Sequence, residues 1–166
     1  MTLHPHLALT VFTVVMVAAA FEDFRRLVIP NLLPILLCLL WPVYFAGEPS
    51  LSGALAAVGC ALAVFVVGAI LFARGYLGGG DVKLLSAATL WAGPAGTPAL
   101  LMLTGVFGGA LALFLLLPFG NQIAAAARFM LGQPALPPKR GLAIPVPYGI
   151  AIAGAALVVV LSPHFG

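Results

Sequence analysis

The chain has 166 residues, of which 63% are hydrophobic and only 7% are charged, and its mean hydropathy is +1.21. Soluble domains carry about 25% charged residues, so this composition excludes a soluble globular domain and predicts an integral membrane protein. The net charge of +3 comes from seven Lys and Arg residues scattered between apolar stretches, which excludes a basic surface for nucleic acid.

Continuous apolar stretches predict helices, because a chain inside the bilayer must satisfy its backbone polar groups internally. The sequence therefore predicts an all-α polytopic membrane protein with a single domain over residues 1–166. In chain order, the six predicted transmembrane helices run from about Leu7 to Phe21, from the Pro30-Asn31 pair to Phe45, from Leu51 to Phe72, from Asp81 to the Gly93-Pro94 pair, from Thr97 to Leu117 and from Ile144 to Leu161.

Between the fifth and sixth predicted helices lies a segment of mixed character. The stretch from Asn121 to Leu131 forms either a separate interfacial helix or an extension of the fifth helix. The stretch "GQPALPPKRG" that follows is a predicted loop, because its prolines and glycines break helices.

The basic residues predict how the chain is oriented in the membrane. All seven lie in or beside the segments that follow the first, third and fifth predicted helices, and six crossings place these segments on one side. The positive-inside rule assigns that side to the cytoplasm and both termini to the outside. We therefore expect a multi-pass protein of the inner (cytoplasmic) membrane, with the lipid bilayer around it and its active site facing the cytoplasm.

Three of the four acidic residues lie on the predicted cytoplasmic side. The fourth, Glu48, is interpreted as a solvated turn residue in an outer loop. Two carboxyl groups from separate segments can activate a water molecule, one as general base and the other as general acid. Asp23, after the first helix, and Asp81, before the fourth, form the candidate catalytic pair. Glu22 is the competing acid and is expected to be an interfacial residue.

Asp81 lies in the stretch "LGGGDVKLL", directly after Gly78, Gly79 and Gly80. Three consecutive glycines are unfavourable inside a helix and predict an extended or turning stretch, where another backbone can come close. The fourth helix covers only about 18 Å before its predicted break, against about 30 Å of hydrocarbon, so we expect Asp81 below the interface. An ionisable residue at that depth is a functional candidate. The structural alternative is that Asp81 is a helix N-cap, which does not exclude catalysis.

Asp23 lies at the C-terminal end of the first helix, where the helix dipole disfavours an anion. A surface salt bridge with Arg25 or Arg26 is the structural alternative to catalysis there. Lys83 either orients Asp81 or binds substrate, or it is a positive-inside anchor. The predicted cytoplasmic side has no histidine and no cysteine cluster, so we expect neither a metal nor a cofactor.

Three segments, in this order along the chain, resemble motifs of the type IV prepilin peptidases. "DFRRLVIPN" from Asp23 is similar to the first-aspartate motif of that family, "GGGDVKLL" from Gly78 to its Gly-x-Gly-Asp motif, and "VPYGIAI" from Val146 to the start of its last helix. The resemblance spans most of the chain and implies an aspartic endopeptidase with Asp23 and Asp81 as catalytic residues. The residues implied to bind substrate or shape the site are Gly78, Gly79, Gly80, Lys83, Arg25, Pro30, Asn31, Pro147, Tyr148 and Gly149.

The resemblance also implies the substrate and the partners. The substrate is a prepilin or pseudopilin with a short basic leader followed by an apolar helix, and the pilus-assembly machinery is a further partner. Longer family members carry a cysteine-rich insert after the first helix and also methylate the new N-terminus. Only a short segment without cysteines separates Asp23 from the second helix here, so we do not expect methyl transfer. The chain looks most like the short forms that serve tight-adherence (Flp-type) pili, with the archaeal preflagellin peptidases as close relatives.

Two other functions stay open at this point. Intramembrane acids and broken helices also occur in small ion-coupled transporters, which are expected to place an acid near the midplane and to show internal symmetry. This sequence shows no repeat. A non-enzymatic membrane protein of pilus assembly is the third interpretation, and it would keep its function when Asp81 is replaced by Asn.

Overall fold

The computed structural model describes residues 3–46, 50–132 and 146–162, and the regular structure in these ranges is helical throughout. The six helices are α1 (Leu3–Arg26), α2 (Leu32–Phe45), α3 (Leu51–Ala73), α4 (Gly79–Leu116), α5 (Pro118–Met130) and α6 (Tyr148–Leu161). Three segments, within α1, α3 and α4, are long and apolar enough to cross a membrane, and α2 and α6 are shorter apolar helices. The chain is an all-α polytopic membrane protein, as the sequence predicts.

Helix α4 contains a break at Gly93, whose backbone has a left-handed φ of 63° that favours glycine. The chain also reverses direction there. Asp81 interacts electrostatically with Asp23, which bonds to the start of α6. The ring of Tyr148, the first residue of α6, lies against Gly108. A continuous helix would separate residues 81 and 108 by about 40 Å, so α4 consists of two segments that fold back on each other. The predicted break after the fourth helix is confirmed.

The core of the bundle forms around α4, which packs against α2, α3, α5 and α6, while α1 packs against α2 and α6. The indole N–H of Trp91 donates a hydrogen bond of 2.9 Å to the backbone carbonyl of Leu37, and this bond ties α4 to α2. The rings of Phe12 and Tyr44 pack against the same indole. The largest fully buried side chains are Phe12, Met16, Leu37, Leu84, Leu100, Ile152, Val159 and Thr89.

Two helices begin or end at other residues than predicted. Helix α1 continues past Phe21 to Arg26, where Glu22 pairs with the arginines one turn further on and so supports the last turn. Helix α4 begins at Gly79 rather than at Asp81, and only Gly78 of the three glycines has an extended backbone. The prediction of a non-helical glycine stretch is therefore wrong for Gly79 and Gly80.

The region between the fifth predicted helix and α6 is described only in part. Leu117 is extended because it precedes Pro118, so α5 is a helix of its own and not an extension of α4. Residues 133–145, with most of the predicted loop and the predicted start of the last helix at Ile144, lie outside the described residues. Helix α6 begins at Tyr148, after the non-helical residues Val146 and Pro147, so the predicted helix start near Ile144 is wrong.

Candidate active site

Asp23 lies in the last turn of α1 and is only 5% exposed. The backbone N–H of Gly149, in the first turn of α6, donates a hydrogen bond of 2.6 Å to Oδ2 of this carboxyl group. The first N–H groups of a helix have no partner within the helix, and they form the positive end of its dipole. The start of α6 therefore offsets the unfavourable position of an acid at the end of α1.

Gly149 allows α6 to approach Asp23 this closely. A Cβ atom at position 149 would lie 2.8 Å from Cβ and 2.9 Å from Oδ2 of Asp23, which is closer than side-chain atoms pack. Any other residue at this position would push the start of α6 away from α1.

Asp81 is the third residue of α4, and Gly78 is the N-cap. The interpretation of Asp81 as N-cap is therefore wrong. Its carboxyl group instead turns back to Gly78, whose backbone provides a hydrogen bond, in the manner of the acidic residue of a capping box. A Cβ atom at position 78 would lie only 2.6 Å from Oδ2 of Asp81, so the glycine makes room for this arrangement. Within the described part of the chain, Oδ1 of Asp81 is buried and has no hydrogen-bond partner.

The structure brings the two predicted catalytic acids together. Asp23 and Asp81 are close enough for their charges to interact directly, although 57 positions separate them in the sequence. Each carboxyl group lies at the N-terminus of a helix, Asp23 at that of α6 and Asp81 at that of α4. One oxygen of the pair, Oδ1 of Asp81, is free to accept a proton or a hydrogen bond.

The other two glycines of the motif lie at close contacts between helices. A Cβ atom on Gly79 would lie 3.3 Å from the ring of Phe72 in α3. One on Gly80 would lie 3.0 Å from Cβ of Ile29 and 3.4 Å from its backbone nitrogen. The segment between α1 and α2 thus packs directly on the first turn of α4, which fixes the position of Asp81 relative to α1.

Glu22 occupies a different environment from its neighbour Asp23. One of its carboxylate oxygens, Oε1, lies 3.8 Å from a terminal nitrogen of Arg25, and the other, Oε2, lies 3.4 Å from Nε of Arg26. The guanidinium group of Arg25 also lies 5.2 Å from the centre of the Phe21 ring. Glu22 and the two arginines thus form a partly exposed cluster, and the structure places Asp23 at the buried junction.

The structure does not bring Lys83 to the carboxyl pair. Two positions along a helix correspond to a rotation of about 200°, so Lys83 and Asp81 lie on nearly opposite faces of α4. The Lys83 ammonium group donates a hydrogen bond of 2.8 Å to Oδ1 of Asn31. This bond links the first-aspartate motif, which ends at Asn31, to the Gly-x-Gly-Asp motif, which contains Lys83. It adds to the contact between Ile29 and Gly80. Pro30 is exposed, and its carbonyl accepts a bond from the N–H of Leu33 at the start of α2.

The third motif supplies backbone and packing groups. Pro147 is buried and caps α6, and the ring of Tyr148 lies against Gly108 in the returning segment of α4. Sequence reasoning did not foresee that the N–H of Gly149 would hold Asp23, or that Phe72 and Gly108 would help to position the site. The lone glycine beside an aromatic residue at the start of the last helix was the available signal for the first of these contacts. No local signal marks Phe72 or Gly108. In the ranges described, no three His, Cys, Asp or Glu side chains are grouped so that they could hold a metal ion.

A family model for type IV leader peptidases matches residues 10–113, which is more than half of the chain. The chain belongs to the type IV leader peptidase family. No curated protein and no solved structure matches it. The match includes both aspartates of the leader peptidase and ends before α6, so the contact from Gly149 to Asp23 is visible only in the structure.

Proposed function

We propose that this leader peptidase is an aspartic endopeptidase that uses Asp23 and Asp81 to remove the basic leader from prepilin-like proteins at the cytoplasmic face of the inner membrane. The observation that carries the proposal is the meeting of the buried carboxyl group of Asp23, from α1, with the partly buried one of Asp81, from α4, at the N-termini of two helices. The membership of the family supports the peptidase activity and a prepilin-type substrate.

The chemistry requires that the two carboxyl groups hold one water molecule between them. One carboxylate takes a proton from the water as its oxygen bonds to the carbonyl carbon of the scissile peptide. The other carboxyl group, in its protonated form, donates its proton to the carbonyl oxygen. The tetrahedral intermediate collapses when the first carboxyl group gives the proton from the water to the peptide nitrogen and the second takes one back from a hydroxyl group of the intermediate. The C–N bond breaks, and the leader is released with a new carboxyl group. No covalent enzyme intermediate forms.

The positions of the two carboxyl groups are compatible with one acting as the base and the other as the acid. Oδ2 of Asp23 is fixed by the N–H of Gly149, and the Gly78 backbone holds the Asp81 carboxyl, so neither group needs to reorganise during the reaction. Oδ1 of Asp81 remains available to the water or to the substrate carbonyl. Serine chemistry has less support, because the hydroxyl of Ser86 is bonded to the carbonyl of Val82.

The location of the pair supports a substrate with a basic leader and an apolar helix. Both acids lie at helix ends on the side predicted to be cytoplasmic, where a basic leader would remain, while the apolar helix after the scissile bond enters the bilayer. Only residues 27–31 connect α1 to α2, which leaves no cysteine-rich insert. We therefore propose peptidase activity without N-methyl transfer, in the service of tight-adherence-type pili and their assembly machinery.

The test is direct cleavage. The purified full-length protein in lipid nanodiscs is incubated with a candidate prepilin, and the N-terminus of the product is sequenced. We expect one new N-terminus between the basic leader and the apolar helix. If every candidate prepilin with a basic leader and an apolar helix stays intact after long incubation, the result would favour the transporter or the assembly-protein interpretation.

A further inference from the structure

A second site lies on the face of α4 that points away from the carboxyl pair. An open groove of about 590 Å³ runs between α2 and α3. Its floor is Lys83, Ser86, Ala87 and Leu90, which have the spacing of one helix face. Both α2 and α3 pack against α4 but hardly contact each other, so the groove opens sideways into the bilayer.

The walls of the groove are apolar and unpacked. Ile35 and Leu39 of α2 are 52% and 68% exposed, and Leu62 and Phe65 of α3 are 59% and 43% exposed. Ser86 adds no free donor, because its hydroxyl donates to the carbonyl of Val82 at 2.7 Å. The body of the groove therefore fits a hydrocarbon chain.

One end of the groove is cationic. Lys83 is exposed there, and its ammonium group is held by the neutral amide of Asn31. In the part of the chain that the structure describes, Lys83 forms no ion pair, so no carboxylate neutralises its charge. An ammonium group has three donors, and the bond to Asn31 uses one of them. The free donors and the uncompensated charge favour an anionic group at the predicted cytoplasmic interface.

We propose that this groove is a binding site for an anionic phospholipid of the cytoplasmic leaflet, with its phosphate at Lys83 and Asn31 and an acyl chain between α2 and α3. A bound substrate helix is less well supported, because the groove lies on the opposite face of α4 from Asp81. The lipid would fill the gap between α2 and α3 and support Asn31, close to the segment that packs on the first turn of α4.

The experiment measures lipid binding and does not depend on cleavage. The full-length protein is reconstituted with phosphatidylglycerol or phosphatidylcholine that carries a photoreactive group in one acyl chain, and the cross-linked residues are mapped by mass spectrometry. We expect adducts on the groove walls, near Leu39 and Phe65, with a clear preference for phosphatidylglycerol. An interfacial lysine contributes about 1 kcal/mol towards an anionic lipid, so Lys83→Gln should reduce that preference about fivefold.

Two further variants make the test specific. Arg74 is an exposed cation on the same predicted side, but it does not line the groove. Arg74→Gln should therefore keep the preference for phosphatidylglycerol. Ala87→Phe fills the floor of the groove and should suppress adducts of both lipids, while thermal unfolding reports whether the variant is folded. Equal adducts from the two lipids, an unchanged preference in Lys83→Gln, or displacement of phosphatidylglycerol by an uncleaved prepilin would each overturn the proposal.

Discussion

The contact between α6 and Asp23 can be tested by adding a single methyl group. In Gly149→Ala, the new Cβ atom would lie 2.8 to 3.0 Å from Cβ, Oδ2 and Cγ of Asp23, so either the carboxyl group or the first turn of α6 must move. Overpacking of this kind costs about 1–3 kcal/mol. A hydrogen bond to a charged group contributes about 1.5–3 kcal/mol, and most of it is lost when the N–H moves out of line.

The same displacement misplaces one of the two proposed catalytic groups. If about 3 kcal/mol of this energy is lost from the transition state, kcat/KM for prepilin cleavage should fall about 160-fold. The assay is the initial rate of leader removal in nanodiscs, together with thermal unfolding of the same sample. We expect a modest fall in Tm and a much larger loss of rate.

The matched control is Gly154→Ala in the same helix. Its Cβ atom would lie 3.4 Å from the ring of Phe107, which is an ordinary packing distance, so activity should stay close to that of the wild type. Wild-type activity in Gly149→Ala, or equal losses in both variants, would refute the reasoning that α6 positions Asp23.

Three further predictions follow from the packing and from the charges. Gly80→Ala should lower cleavage, because its Cβ would lie 3.0 Å from Cβ of Ile29 and shift the first turn of α4; kcat/KM measures this, and an unchanged value would contradict it. Trp91→Phe should lower the free energy of unfolding by about 1–3 kcal/mol, because the buried hydrogen bond between α4 and α2 is lost and the smaller ring leaves a gap, and denaturant unfolding measures this. A cysteine at Arg26 should react with impermeant reagents only from the cytoplasm; labelling from outside would contradict the predicted orientation.

The candidate pair, Asp23 and Asp81, could be picked out from the sequence because its signal is local and chemical. An aspartate in a chain with only four acids already requires an explanation, and each of the two acids lies inside a distinctive motif. The break in α4 was equally accessible, since Gly93 followed by a proline favours a backbone that helices do not adopt.

The start of α4 could not be predicted because tertiary contacts override local preference there. Aspartate is a favoured N-cap and glycine a poor helix former, so local rules place the helix start at Asp81. In the structure, Gly79 lies close to the ring of Phe72 and Gly80 lies close to Ile29, where a Cβ atom would come within 3.3 and 3.0 Å of these residues. The helix therefore includes both glycines, and Asp81 turns back towards its own N-terminus.

The role of α6 could not be predicted either, for a different reason. Gly149 donates to a residue 126 positions earlier in the chain. Which N–H group of α6 meets the carboxyl depends on how α6 packs against α1 and on the contact of its first residue, Tyr148, with Gly108. A motif can indicate that the start of the last helix matters, but it does not specify the atom.

Replacing each acid at the end of α1 and at the start of α4 by its amide tests the central claim most directly. The rate of leader removal is measured for Asp23→Asn, Asp81→Asn and Glu22→Gln, each inserted in nanodiscs and shown to be folded by thermal unfolding. We predict that both Asp variants lose cleavage, whereas Glu22→Gln keeps most of it, because Glu22 pairs with Arg25 and Arg26 in a partly exposed cluster. Cleavage by Asp23→Asn together with inactivity of Glu22→Gln would contradict the assignment of the catalytic pair.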